Sequence, residues 1–173
     1  NTTANLAAQA AMAGRRVGVV DTDIQSPGIH VLFGLDAEKM GRTLNDYLYG
    51  KCPIKEVAFS IAEHAGDLPG RSQLKGKNIW LIPSSIRQME IAQVLRQGYD
   101  VNRLNEGLQT ILKELTLDYL FIATHPGLNE ETLLSIAISD ILVIILRPDQ
   151  QDLQGTAVTV DIARNLDVPH LFL

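Results

Sequence analysis

Short apolar runs, bounded by turn residues and separated by stretches of helical period, constrain this chain to an α/β fold. The clearest is Val17-Gly18-Val19-Val20, entered from Gly14 and left through Asp21-Thr22-Asp23. A β-branched run of that length without polar alternation reads as a parallel strand buried on both faces. Further strands are expected at 79–82, 118–123 and 141–146, with a last one from His170. Helices are expected at 2–13, 43–49, 53–61, 130–138 and 152–166, with two more between 83 and 117. The second of that pair is marked by Val101, Leu104, Leu108, Ile111, Leu112 and Leu115 at helical spacing. In the first helix Leu6, Ala7, Ala10 and Ala11 are expected to share a face, with Gly14 as the stop. Strands alternating with helices imply a doubly wound, mostly parallel sheet with helices on both faces, a three-layer sandwich.

Asp21 and Asp23 then become the residues of interest. The carboxyl end of a parallel strand is where open α/β sheets bind ligands. Extended residues i and i+2 point the same way, so both carboxylates are expected to face one site. Two hard oxygen donors there suit a hydrated Mg²⁺ and an attacking water. Asp also favours turns and helix caps. Taken alone, the pair fits either role.

At 173 residues the chain is expected to form one domain. Hydrophobic residues make up 46% and charged residues 20%, which argues for a packed core and against disorder. The formal net charge of −5, with no run of like charges, gives no support to a dedicated nucleic-acid surface. Cys52 is the single cysteine, which excludes an internal disulfide framework and fits a reducing, cytosolic setting. No apolar stretch approaches the ~18–20 residues of a membrane span, and the Ala-rich start lacks the apolar centre of a signal peptide.

Three stretches, in order and spacing, carry a family resemblance. They are Asn1-Thr2-Thr3-Ala4-Asn5-Leu6-Ala7 through Gly14, Arg16 to Leu35 with the Asp pair, and Asp118-Tyr119-Leu120-Phe121-Ile122-Ala123-Thr124-His125-Pro126-Gly127-Leu128. Together they resemble the MinD/ParA family of deviant Walker-type P-loop ATPases over nearly the whole chain. The resemblance implies a P-loop NTPase-like sandwich that binds ATP or ADP with Mg²⁺. It implies that Asp23 positions the water attacking the γ-phosphate and that Asp21 sits around the Mg²⁺. It further implies that Asn1 and Thr2, following a phosphate loop, and Pro126 and Gly127, in a second switch, contact the nucleotide. Segment 21–35, with Pro27 and Gly28, would be the first switch, an irregular loop.

The departures matter equally. By the resemblance the chain is expected to begin just after its phosphate loop and to stop before the base-recognising Asn. Gly76-Lys77 does not replace that loop: five residues separate Gly70 from Gly76, and Asn78 follows where Ser or Thr is needed. It is read as a surface turn within a polar excursion at 62–78. Ala123 stands where the family carries its Walker B Asp, so the chain is expected to be deficient in hydrolysis. Thr124 and His125 are weak substitutes, and His125 is expected to be a solvent-facing loop residue. Asp149 is expected to cap a helix, Arg15-Arg16 to be solvated, and Trp80 to be core.

The resemblance also implies an ATP-dependent homodimer, a partner or activator protein, and cycling on a membrane surface (MinD-like) or on non-specific DNA (ParA-like). The location would be cytoplasmic, with peripheral attachment at the inner membrane a further option. His30-Val31-Leu32-Phe33-Gly34-Leu35 and Thr43-Leu44-Asn45-Asp46-Tyr47-Leu48 also resemble bacterial tyrosine kinases, but Gln25-Ser26 stands where that family usually has basic residues. A non-catalytic binding scaffold, with Ala123 a true loss, is the reading from a different class.

Overall fold

The computed structural model describes residues 1–36, 40–64, 72–147 and 149–173. The chain divides into two compact units, Asn1–His125 and Pro126–Leu173.

The first unit begins with helix α1 (Thr2–Met12), whose buried side chains are Ala4, Ala7 and Ala11. Leu6, expected on the packed face, is 43% exposed. The i, i+3, i+7 spacing of the three alanines gives a stripe narrow enough for the helix to lie close on a sheet. Gly14 ends it at φ +85°, a left-handed turn that costs glycine little. Strand β1 (Val17–Asp21) follows and is buried throughout. Because the connection is so short, α1 doubles back along β1 and its N-terminus lies toward the strand's carboxyl end.

Segment 21–35 contains a single helical turn, α2 (Ile29–Leu32), where an irregular loop was expected. Helix α3 (Leu44–Leu48) starts at a capping box formed by Thr43 and Asp46. The helix expected at 53–61 is instead a 3₁₀ turn (Ile54–Val57), strand β2 (Phe59–Ser60) and the start of α4 (Ile61–His64). Pairing with strand β3 (Ile79–Ile82) overrides local preference here: Phe59 lies opposite Leu81 and Ser60 opposite Trp80, antiparallel. Of the excursion expected at 62–78, residues 65–71, including Gly70, lie outside the described residues. Gly76 sits in an exposed turn at φ +72°, as expected.

Helices α5 (Gln88–Gln97) and α6 (Val101–Glu114) lead to strand β4 (Tyr119–Ala123). The sheet order is β2-β3-β1-β4, with β1 parallel to both neighbours. Val17, Val19, Ile79 and Leu81 pack with the α1 alanines and Ile61 in one cluster, while Val20 and Ile82 are buried on the opposite side of the alternation. Arg16 is not simply solvated. Its guanidinium lies 5.0 Å from the centroid of the Trp80 ring, and its Nε and Nη2 donate to the Leu115 carbonyl at 2.9 and 2.8 Å. Trp80 is accordingly half-buried rather than core.

The second unit contains helix α7 (Glu130–Ala137), strand β5 (Ile141–Val143), helix α8 (Gln150–Asn165) and strand β6 (His170–Phe172), with β5 and β6 parallel. Asn129 caps α7 by accepting from Thr132, and Asp149 caps α8 by accepting from Asp152. The strand expected over 141–146 is only three residues long, matching its three-residue partner, and its Ile141 and Val143 are exposed.

Candidate functional site

The carboxyl edge of the first sheet gathers the chemistry. Register pairs Val20 with Ile82 and Asp21 with Ala123, so the residues after β1, β3 and β4 emerge side by side. Thr22 leaves β1 by donating both its N–H (2.9 Å) and its Oγ1 (3.0 Å) to the Ala123 carbonyl. Ser84, fully buried beyond β3, donates its hydroxyl to the Asp21 carbonyl at 2.7 Å. Next to it, the Ser85 N–H donates to Asn45 Oδ1 at 2.8 Å.

The i, i+2 argument does not carry beyond Asp21, because the chain turns at once: the Ile24 N–H donates back to the Thr22 carbonyl at 3.0 Å. The two carboxylates therefore have different partners. Asp21 is 2% exposed. Its Oδ1 accepts from the Asp23 N–H at 3.1 Å, and its Oδ2 from the N–H groups of Gly28 (3.2 Å) and Ile29 (3.4 Å). Burial pushes its pKa up to about 6, with the three amides opposing and the Asp23 charge adding to the rise. Asp21 thus ties the loop from Asp23 to Ile29 back onto its strand.

Asp23 has a 17% exposed side chain. Its Oδ1 accepts from the Ser26 N–H (3.0 Å) and Ser26 Oγ (3.1 Å) and pairs with His125 Nδ1 at 2.8 Å, while among the described residues Oδ2 has only Ser26 Oγ, at 3.1 Å. His125 is 30% exposed and bonded, which corrects the solvent-facing expectation. A carboxylate only accepts, so Nδ1 carries the proton in this pair. Sequence reasoning missed Ser26, Thr22 and Ser84. Ser84 had a legible signal, since Pro83-Ser84-Ser85 directly follows a strand that parallel pairing places on the same edge.

Asn1 and Thr2 open α1 and are exposed; the helix has no side-chain cap and no acidic residue in its first turn. Amides with no side-chain cap and no acidic residue in their own first turn suit an anion. Pro126 and Gly127 lie in the second unit, exposed ahead of α7, with Gly127 at φ +109°. Among the described residues no group of three or more His, Cys, Asp or Glu forms a metal cage. With both Asp21 oxygens met by amides, Asp23 offers the open carboxylate oxygen, which would suit Mg²⁺ carried on a nucleotide, an ion that keeps waters and phosphate oxygens in its shell and needs few protein ligands.

The parallel sheet with carboxylates at its ligand edge defines an open-sheet α/β protein of the kind that binds ligands at the carboxyl ends of its strands. A family model described as an AAA domain matches residues 1–167, and the chain belongs to that family, as a MinD/ParA-type P-loop ATPase. The flagellum site-determining protein YlxH of Helicobacter pylori is 28% identical over 174 residues, covering 100% of this chain and 51% of that protein. The septum site-determining protein MinD of Pyrococcus horikoshii, solved with Mg-ADP, superposes with a TM-score of 0.75 at 17% identity, over 97% of this chain and 60% of that one. A chain of the MinC:MinD cell division complex of Aquifex aeolicus gives a TM-score of 0.72 at 17% identity, over 98% and 59%. The chain spans about half the length of the curated relatives it matches. The two structural likenesses carry the fold alone.

Proposed function

We propose that residues 1–173 form the nucleotide-binding domain of a positioning or partitioning ATPase that binds ATP and ADP with Mg²⁺, dimerises on ATP and cycles on a surface. The observation that carries this reading is Asp23, a carboxylate clamped by Ser26 and His125 at the ligand edge of the sheet. The unbroken family match over residues 1–167 supports reading both units as parts of one domain. Phosphoryl transfer to water needs a held water and neutralised phosphate charge more than covalent chemistry. Asp23 would hold the water, Asp21 would fix the loop that presents it, and Asn1, Thr2, Pro126 and Gly127 would meet the nucleotide. Mg²⁺ would supply charge neutralisation on the phosphates. Ala123 offers a methyl where the family has a carboxylate, which favours slow hydrolysis and a long-lived ATP state.

A partner protein and either a membrane or DNA as the surface belong to the same reading. No helix among the described residues is long and apolar enough to cross a membrane. The test is ATP binding and hydrolysis by the full-length protein with Mg²⁺. Asp23→Ala is expected to keep nucleotide affinity within a few-fold and to lower turnover about 100-fold or more. Absence of ATP binding in the unsubstituted protein would remove this reading and leave a scaffold.

A further inference from the structure

We infer that His125 is a positioning residue for Asp23, fixing which carboxylate oxygen receives the attacking water. The inference rests on the ATPase reading above. Oδ1 of Asp23 is already met by three donors: the Ser26 N–H at 3.0 Å, Ser26 Oγ at 3.1 Å and His125 Nδ1 at 2.8 Å. Among the described residues Oδ2 has one, the shared Ser26 hydroxyl at 3.1 Å. A carboxylate has about four lone-pair sites, so its unused accepting capacity lies on Oδ2.

The loop alone does not achieve this. Ser26 is three residues from Asp23 and moves with it, whereas His125 is anchored 102 residues away, just past β4. Thr22 holds the end of that strand through two bonds to the Ala123 carbonyl, so the His125 backbone is referenced to β1 itself. The Nδ1–H···Oδ1 bond therefore transfers the rigidity of the paired strands to a carboxylate on a loop. A water-orienting group gains from being held to within a fraction of an ångström, since misplacement by about 1 Å costs about 100-fold. Removing the imidazole should leave nucleotide binding intact and release Asp23 to rotate.

The test is single-turnover ATP hydrolysis by the full-length protein in excess over nucleotide, which reads rates too slow for steady state. Nucleotide affinity is measured on the same samples, and the imidazole nitrogens are followed by ¹⁵N NMR. His125→Leu is expected to lower the rate about 10- to 100-fold with affinity within about twofold. His125→Asn, whose amide donates from nearly the same place as Nδ1, is expected to recover most of that loss. The Nδ1 proton signal is expected to shift in Asp23→Ala. An undiminished rate in His125→Leu, or a loss that Asn does not recover, overturns the positioning role while the ATPase reading stands. Binding without any turnover in the unsubstituted protein also overturns it. Failure to bind ATP removes the ATPase reading and this inference with it.

Discussion

Ser84 Oγ donates to the backbone carbonyl of Asp21 at 2.7 Å, with both residues almost wholly removed from solvent. The bond joins the ends of two parallel strands just where the sheet ladder stops. Ser84→Ala leaves that buried carbonyl without its hydroxyl partner. It should lower stability by about 1–2 kcal/mol. Urea unfolding would show a lower midpoint with an unchanged slope.

Asp21 also sets a pH dependence. Its carboxyl is raised from 3.8 to about 6, chiefly by burial, so the folded chain binds a proton between those values that the unfolded chain has lost. Stability should therefore fall as pH rises from about 4 to about 6, and the loss should be complete above that. Its full size is about 3 kcal/mol. Unfolding free energies across pH 4–7 should slope downward more steeply in the unsubstituted protein than in Asp21→Asn; parallel curves would contradict the assignment.

A cation bound close to Asp21 must favour its ionised form. If Mg²⁺–nucleotide binds at this edge, its binding at pH 6 should release a fraction of a proton that Asp21→Asn does not release. Calorimetry in two buffers of different ionisation enthalpy measures that difference directly.

Gly107 marks a close approach between α6 and the ring of Tyr47: a Cβ there would lie 2.5 Å from Tyr47 Cε1. The ring is pinned, because Tyr47 Oη donates to the Arg103 carbonyl at 2.9 Å and the Arg103 guanidinium lies 4.8 Å from the ring centroid. Alanine at 107 gains about 1 kcal/mol of helix propensity but overpacks by about 1–3 kcal/mol. Gly107→Ala should be destabilising in the native background. In a Tyr47→Ala background the sign should reverse, which thermal melts of the four variants would show.

Arg16 spans three features at once: the Trp80 face and the carbonyls of Leu115 and Thr116 at the end of α6. Lysine keeps the charge but loses the planar fork. Arg16→Lys is expected to cost about 1–2 kcal/mol in chemical denaturation.

The elements most legible in the sequence were those with a long or uniform pattern. The Val17–Val20 run was expected to be a buried parallel strand, and so it is; the stripe from Val101 to Leu115 marked α6 nearly to its ends. The 53–61 stretch misled because its strand is two residues long and exists only through pairing with β3. Arg16 misled because a charged residue beside a turn reads as solvated unless the ring beneath it is known. At the site, two carboxylates at the end of a buried strand were legible in Asp21 and Asp23. The division of labour between them was not, since it depends on a chain reversal at Thr22 and on amides from Gly28 and Ile29. His125 could not be joined to Asp23 by spacing, since 102 residues separate them. Only the β1–β4 register brings them together.

The three amides gathered on the Asp21 carboxylate have a further consequence. The loop cannot leave one of them without loosening the rest, because all three share one anchor. Drawing Asp21 away frees three N–H groups for another acceptor, an anion or water, in its place. Because these amides favour the ionised carboxylate, loop position and the charge on Asp21 are coupled.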